Sequence, residues 1–487
     1  MSELLTKEAI NAQIEKNKDS MIDALKGLIQ IKSVKEDEVS TPSGKLPFGR
    51  GIHEALLYME DLAAREEFRF ENIDNYGGHI DFGPETDETM GILVHLDVVP
   101  EGSDWDYDPY GGEVVSGRLY GRGTTDDKGP AIAAFYAMKA LKDLGYIPKK
   151  RVRLVLGLDE ETGWSGMEYY LDKVGAPDFG FTPDAEFPAI HGEKGILVFD
   201  IVKKLSKTIG LSKGLALSSL KGGTAANMVA DFARAVVKHE DVKEYALLKE
   251  KVQEYRQAKN VRMQCKQTGK SFEVTAYGVS AHGARPEQGV NAISILMDFL
   301  GNLTFREDDV NDFISFFNIH IGFELDGKSL SIDFSDQESG KLVFNVGMAH
   351  MDKNEARVTV NVRYPVTMTD EEVYEALMKT LSSYDLGIIK TTLQKPIYFS
   401  VDHPMIVTLM DIYREHTGDF DTQPLVIAGG TYARAASGFV AYGPAFPGDK
   451  EVMHQKNEYV EIDRLVKAAG IYADAIYRLT KDTVHNT

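Results

Sequence analysis

The stretch Gly91-Ile-Leu-Val-His95-Leu-Asp97-Val-Val-Pro100 is an apolar, β-branched run that reads as a buried strand, and Pro100 marks where that strand must stop. Side chains alternate along a strand, so His95 and Asp97 emerge on one face near its C-terminal end. Open α/β sheets bind their ligands at that end. An imidazole beside a carboxylate is how a metal ligand and its orienting partner are built. The plainer alternative is a hydrogen-bonded pair capping a strand, and the remaining chain has to decide between the two.

Moving outward, strands and helices alternate. Apolar positions at helical spacing predict a helix over 7–32 and another over about 51–64, with short strands at Phe68-Arg-Phe70 and His79-Ile-Asp-Phe82. After 100, Arg118-Leu-Tyr-Gly121-Arg-Gly-Thr-Thr-Asp126-Asp127-Lys-Gly-Pro130 leads into a helix over 131–144, and Pro130 suits a first turn. Val152-Arg-Leu-Val-Leu-Gly-Leu158 is a second buried strand, running into Asp159-Glu160-Glu161-Thr-Gly. A helix follows at about 165–174, then Phe179-Gly-Phe-Thr182-Pro-Asp184-Ala-Glu186. This is the pattern of an α/β domain with a mostly parallel sheet covered by helices.

From about 196 the strands alternate like half-exposed antiparallel ones, at Phe272–Ser280, Leu342–Val346 and Ala356–Arg363. Helices are predicted between them at about 224–238, 241–256, 290–302, 307–317 and 370–384. After about 396 the first texture returns, with helices near 404–416 and 460–480 and the glycine-rich Ala428-Gly429-Gly-Thr-Tyr-Ala-Arg434 between them. The expected organisation is a catalytic domain over 1–195 and 396–487, interrupted by an inserted α+β domain over 196–395.

A chain of 487 residues exceeds one ordinary core, and 43% hydrophobic with 26% charged residues suits a soluble globular protein. The net charge of −21 argues against nucleic acid and anionic membrane as partners. Cys265, the single cysteine, excludes an intrachain disulfide and a cysteine-rich zinc site, so any metal must sit on His, Asp and Glu. The stretch Met1–Lys7 carries no leader pattern and no apolar run approaches a membrane span, so a cytoplasmic enzyme is expected.

Asp126, the Glu160-Glu161 pair and Asp184 each follow a strand end or tight turn. Taken singly, they read as helix caps, loop charges and a turn former. Taken together, each delivered by a strand or turn beside glycine or proline, they read as a site that His454, in the loop before the last helix, would complete. Two histidines, terminal carboxylates and one shared carboxylate suit a pair of zinc ions, which take nitrogen and oxygen ligands. Ions about 3.5–4 Å apart can hold one hydroxide and polarise a carbonyl, while an adjacent glutamate moves the proton.

The strings His95-Leu-Asp97, Gly121–Gly129, Asp159-Glu160-Glu161-Thr-Gly163, Thr182-Pro-Asp184-Ala-Glu186 and Ser280-Ala-His282-Gly283 resemble the di-zinc metallopeptidase family of aminoacylases, glutamate carboxypeptidases and carnosinases. The long insertion and the Asp184-Ala-Glu186-Phe-Pro188 wording are similar to its bacterial PepV-type dipeptidases. The resemblance implies one ion on His95, Asp126 and Asp184, and another on Asp126, Glu161 and His454. It implies that Asp97 orients His95, that Glu160 is the general acid/base, and that the Asp126–Asp127 peptide is cis. It further makes the insertion a lid, with His282 holding the oxyanion and Asn227, Arg363, Gly429 and Arg434 holding substrate. The expected activity is hydrolysis of short unblocked peptides through a metal-bridging hydroxide, with zinc the expected metal and manganese or cobalt the alternatives. A deacylase or carboxypeptidase of the same family is the nearer rival, and a non-catalytic binding protein, which would lack Glu160, the more distant one. An insertion of this length can supply internally what a partner supplies in dimeric relatives, so a monomer is expected.

Overall fold

The computed structural model describes residues 5–42, 44–206 and 213–481; the first four residues of Met1–Lys7, read above for a leader, lie outside them. The chain divides into two compact units, one of residues 1–191, 399–425 and 430–487, the other of residues 192–398 with 426–429. It is an α/β protein interrupted by an inserted α+β unit.

Four neighbouring strands of the first unit are parallel: Phe439–Tyr442, Phe179–Thr182, Thr89–His95 and Arg151–Gly157, in that order. Antiparallel strands Gly77–Phe82 and Arg69–Ile73 extend the sheet beyond Arg151–Gly157. Every residue of Thr89–His95 is buried, as a central strand covered on both faces requires. Helices Lys128–Asp143 and Ile462–Thr480 pack beside it and contribute long runs of buried apolar residues to a core shared with Ile92, Val94, Leu154 and Leu156. Parallel alignment has a direct consequence. His95, the residues after Gly157 and those after Thr182 all leave the sheet at the same edge.

The N-terminal helix expected over 7–32 is two helices, Lys7–Lys16 and Lys18–Ile29. Asn17 breaks it: its side chain donates to Asp143 Oδ2 at 2.9 Å, and its backbone N–H is shared between the Gln13 and Ile14 carbonyls.

The inserted unit is built on an eight-stranded antiparallel sheet. Helices Glu244–Lys259, Ala292–Leu300, Asp308–His320 and Asp370–Leu381 share its core. The helix expected over 224–238 is absent; Phe232–Lys238 is a strand between Ala216–Gly222 and Ser271–Tyr277. Its alanines suggested a helix, but the burial alternates with period two, Ala233, Ala235 and Val237 facing inward. Small residues there let the strand lie beneath Ala292–Leu300, so packing overrides propensity. Among the described residues, no helix is long and apolar enough to cross a membrane.

One glycine ties the fold to the site. A Cβ on Gly129, in the first turn of Lys128–Asp143, would lie 2.0 Å from the Thr124 carbonyl oxygen. Alanine favours a helix interior over glycine by up to about 1 kcal/mol. Here that gain meets a backbone atom two residues before Asp126, and overpacking of this kind costs about 1–3 kcal/mol. Gly129→Ala is therefore expected to lower the thermal midpoint of the metal-free protein, against the helix-propensity trend.

Candidate metal centre

His95 is fully buried at the end of its strand. Its Nδ1 lies 2.9 Å from the Asp97 carbonyl oxygen, which can only accept, so Nδ1 carries a proton. Nε2 faces Asp126 Oδ1 at 2.9 Å; burial opposes a second proton, but the bonds to Asp126 and Asp97 prevail and hold the ring well above the usual histidine range. The other Asp126 oxygen lies 2.9 Å from His454 Nε2, which also stands 3.1 Å from Glu161 Oε1. Imidazoles wedged against carboxylates in this way draw positive charge to these points, as protons on the rings or as metal ions.

Asp126 is presented by the turn that opens helix Lys128–Asp143, and the Asp126–Asp127 peptide is cis. The Asp127 carboxylate turns away and accepts the backbone N–H of His95 at 3.1 Å. Glu160 and Glu161 follow the strand Arg151–Gly157, and their backbone N–H groups donate to the two oxygens of Asp97, each at 3.1 Å. Asp97 thus holds the glutamate pair as well as lying beside His95. Asp159 fixes the same turn from behind: Lys35 Nζ donates to it at 2.7 Å and Ser165 Oγ at 2.6 Å. Asp184 follows Phe179–Thr182 through Pro183. His454 has left-handed backbone (φ 62°), a conformation costing a non-glycine residue about 1–3 kcal/mol and concentrated at functional sites.

The electrostatics match the geometry. Burial, helped by neighbouring carboxylates, pushes Asp184 and Asp127 well above the usual carboxylate range and Glu160 up to about 8. Hydrogen bonds to Asp126 and Glu161 raise His454 to about 10. So much buried acidity calls for cations, and nitrogen and oxygen donors of this kind fit divalent metal. Two triads of donor atoms lie mutually within 4.8 Å: His95, Glu160 and Asp184, and His95, Asp126 and Glu161. Both triads draw on one cluster. They divide it differently from the sets the resemblance implies, with Glu160 standing beside His95 and Asp184.

Residues 91–478 match Peptidase family M20/M25/M40. The chain belongs to this family of metallopeptidases. It is 36% identical over 473 residues to "Putative dipeptidase YtjP" of Bacillus subtilis (strain 168), covering 96% of this chain and 99% of that one. It is likewise 36% identical over 469 residues to "Putative dipeptidase SH1171" of Staphylococcus haemolyticus (strain JCSC1435), covering 96% and 98%. Among solved structures, human carnosine dipeptidase 1 matches with a TM-score of 0.54 at 14% identity over 98% of this chain and all of its own. The dipeptidase Dug1p of Saccharomyces cerevisiae matches with a TM-score of 0.56 at 12% identity, over 98% and 99%. At such low identity these two structures bear on the fold alone.

Of the other expected residues, Asn227, His282, Arg363 and Gly429 belong to the M20 peptidase's inserted unit and Arg434 to the first. Asn227 and His282 lie on adjoining loops, where Met228 and His282 form an isolated antiparallel bridge and Gly283 N–H donates to the Asn227 carbonyl at 2.6 Å. Arg363, only 5% exposed, donates through Nε to Asn361 Oδ1 at 2.9 Å. Asn345 lies opposite Asn361 in the sheet, and its Nδ2 donates to the Ala226 and Met228 carbonyls at 3.1 and 3.0 Å, on either side of Asn227. Gly429 is grouped with the inserted unit, and Arg434 lies in the short helix Tyr432–Ala435 of the first. Sequence reasoning missed Asn345, Asn361, Asp127 and Asp159 as supports. Asn345 and Asn361 lie on the sheet face opposite the core residues Phe344, Val346, Val360 and Val362, where a polar residue in an alternating strand is ordinary, so the sequence carried no signal for them.

Asp97 lends itself to a direct test. Asp97→Asn keeps the shape but leaves one oxygen for two N–H donors and turns an NH₂ toward the other. Loss of such a supporting carboxylate typically costs about 10–100-fold in metal affinity. Titration calorimetry of the metal-free variant with Zn²⁺ should show a loss of that size.

Proposed function

We propose that this peptidase hydrolyses dipeptides with a free N-terminus, using two divalent metal ions held by His95, Asp126 and Asp184 and by Asp126, Glu161 and His454. The observation that carries the reading is the Asp126 carboxylate, whose two oxygens each face a different histidine at 2.9 Å. A carboxylate so shared is suited to bridging two ions. Relatives 36% identical over nearly the whole chain and named as dipeptidases support the substrate class. Zinc is the proposed metal, with manganese or cobalt as alternatives.

When bound, the ions supply Lewis-acid charge at the reacting centre. The remaining work belongs to the chain. Asp97 fixes His95 and the Glu160–Glu161 turn. Glu160 takes a proton from the attacking water as oxygen bonds to the carbonyl carbon, and returns it to the nitrogen as the C–N bond breaks. Cations in the cluster draw Glu160 back from about 8 toward the ionised form a base needs. By family resemblance, His282 donates to the developing oxyanion, and Arg363, Asn227, Gly429 and Arg434 hold the substrate, the guanidinium suiting a free carboxylate. The lone cysteine suits a reducing cytoplasm, and a monomer with a peptide substrate and no nucleic-acid partner completes the proposal.

Glu160→Ala should abolish turnover with both ions still bound, whereas Glu161→Ala should weaken metal binding itself. Metal analysis of the two purified variants checks this, and the reverse pattern would exchange the roles of base and ligand. Activity of the wild type should vanish on chelation and return with Zn²⁺, Mn²⁺ or Co²⁺.

Substrate class has its own test. Free dipeptides should be hydrolysed in preference to N-acyl amino acids and to C-terminally amidated dipeptides. Equal or better hydrolysis of the N-acyl series would make the enzyme a deacylase.

A further inference from the structure

Glu458 is completely buried and lies four residues beyond His454. One of its oxygens accepts the backbone N–H of Gly123 at 3.1 Å and of Thr125 at 2.9 Å, and the other accepts Arg122 Nη1 at 2.5 Å. Its own carbonyl accepts Gly121 N–H at 2.9 Å, and the Thr125 hydroxyl donates to the Tyr459 carbonyl at 3.0 Å. The turn 121–125, which delivers Asp126, is therefore fastened along its length to residues 458 and 459. Strand Tyr459–Glu461 then continues antiparallel to Arg118–Tyr120.

Arg122 is equally buried. Beyond Glu458, its guanidinium reaches the Gln455 carbonyl and the Pro100 carbonyl, each at 3.4 Å, and lies over the Trp105 ring. Gln455 adjoins His454, and Pro100 ends the segment that carries His95 and Asp97. A single ion pair thus touches the three chain segments that bring His95, Asp126 and His454 together.

We propose that Arg122 and Glu458 are positioning residues of the metal centre, a buried clasp that sets Asp126 against His454 before the ions bind. This rests on the two-ion reading above. The physical case is that a buried ion pair is a poor source of stability, since apolar replacement of both partners is often neutral or better. What such a pair gives is direction. A guanidinium that turns Nη1 to Glu458 and Nη2 to Pro100, and a carboxylate with both oxygens occupied, leave the turn little freedom. The left-handed backbone at His454 also needs surroundings that enforce it.

A mere loop staple would change folding stability and leave metal affinity alone, so the test reads both. E458Q keeps an acceptor for Gly123 and Thr125 but sets an NH₂ against Arg122. R122M/E458Q removes both charges together, and R122K keeps the charge without the fork. Each metal-free protein would be melted, then titrated with Zn²⁺ against a chelating dye. The expected result is an affinity for the weaker ion lower by about 10–100-fold in E458Q and in R122M/E458Q, R122K falling between these and wild type. In R122M/E458Q the metal-free melting temperature should stay near that of wild type. Should E458Q fail to fold, the paired variant decides, and R122K after it. Binding of both ions within twofold of wild type in the folded variants would overturn the inference while leaving the metal site intact. A wild type that bound no second ion would overturn the two-ion reading, and the inference with it.

Discussion

The first unit is arranged around one buried carboxylate that must be shared. Asp126 stands between two imidazoles, and His95, whose other nitrogen is committed to a carbonyl, faces it through Nε2. Positive charge, on the rings or among the carboxylates, is what satisfies that arrangement. Around it lie Asp97, Asp127, Glu160, Glu161 and Asp184, with burial driving Asp127, Glu160 and Asp184 toward their protonated forms. Left to itself this is a costly concentration of like charge. It becomes favourable once cations sit among the carboxylates, so the fold holds an electrostatic debt that only metal or protons can discharge.

The parallel sheet makes the concentration possible. Thr89–His95, Arg151–Gly157 and Phe179–Thr182 run side by side and end at one edge, so residues far apart in sequence arrive together there. This much was legible in the sequence, because apolar runs closed by glycine or proline announce buried strands, and polar residues just beyond them announce the edge. His95 meets Asp126, Asp126 meets His454, and His454 meets Glu161. Less legible was anything that depended on packing. Phe232–Lys238 looked helical because alanine favours helices, and only its neighbours in the sheet make small inward residues the right choice for a strand. The break at Asn17 was hidden for the same reason, since its partner Asp143 lies 126 residues away.

Nor did the sequence show which polar residues support the site without entering it. Asp127, Asn345 and Asn361 look like any other polar residue until their partners are known. Asn345 illustrates the difficulty: its importance lies in two backbone carbonyls flanking Asn227, more than a hundred residues earlier in the chain. A motif records the residues that do chemistry, whereas the supports answer to three-dimensional neighbours.

Three carboxylates around the site use the same device. Asp97, Asp159 and Glu458 are buried carboxylates that accept backbone N–H groups of the turns they hold. These bonds have ordinary lengths of 2.9 to 3.1 Å, and the charge on the acceptor adds to their strength. Asp159 is balanced by Lys35 and Glu458 by Arg122, so their negative charge is largely cancelled locally. Asp97 has the His95 ring beside it instead, at 3.5 Å. Its carboxylate lies beside an imidazole whose Nδ1 proton goes to the Asp97 backbone carbonyl, so the one residue holds both the ring and the Glu160–Glu161 turn. The same geometric device thus serves two ends: where a lysine or arginine accompanies the carboxylate it stiffens a turn, and where a histidine does, it also fixes the ring that faces Asp126.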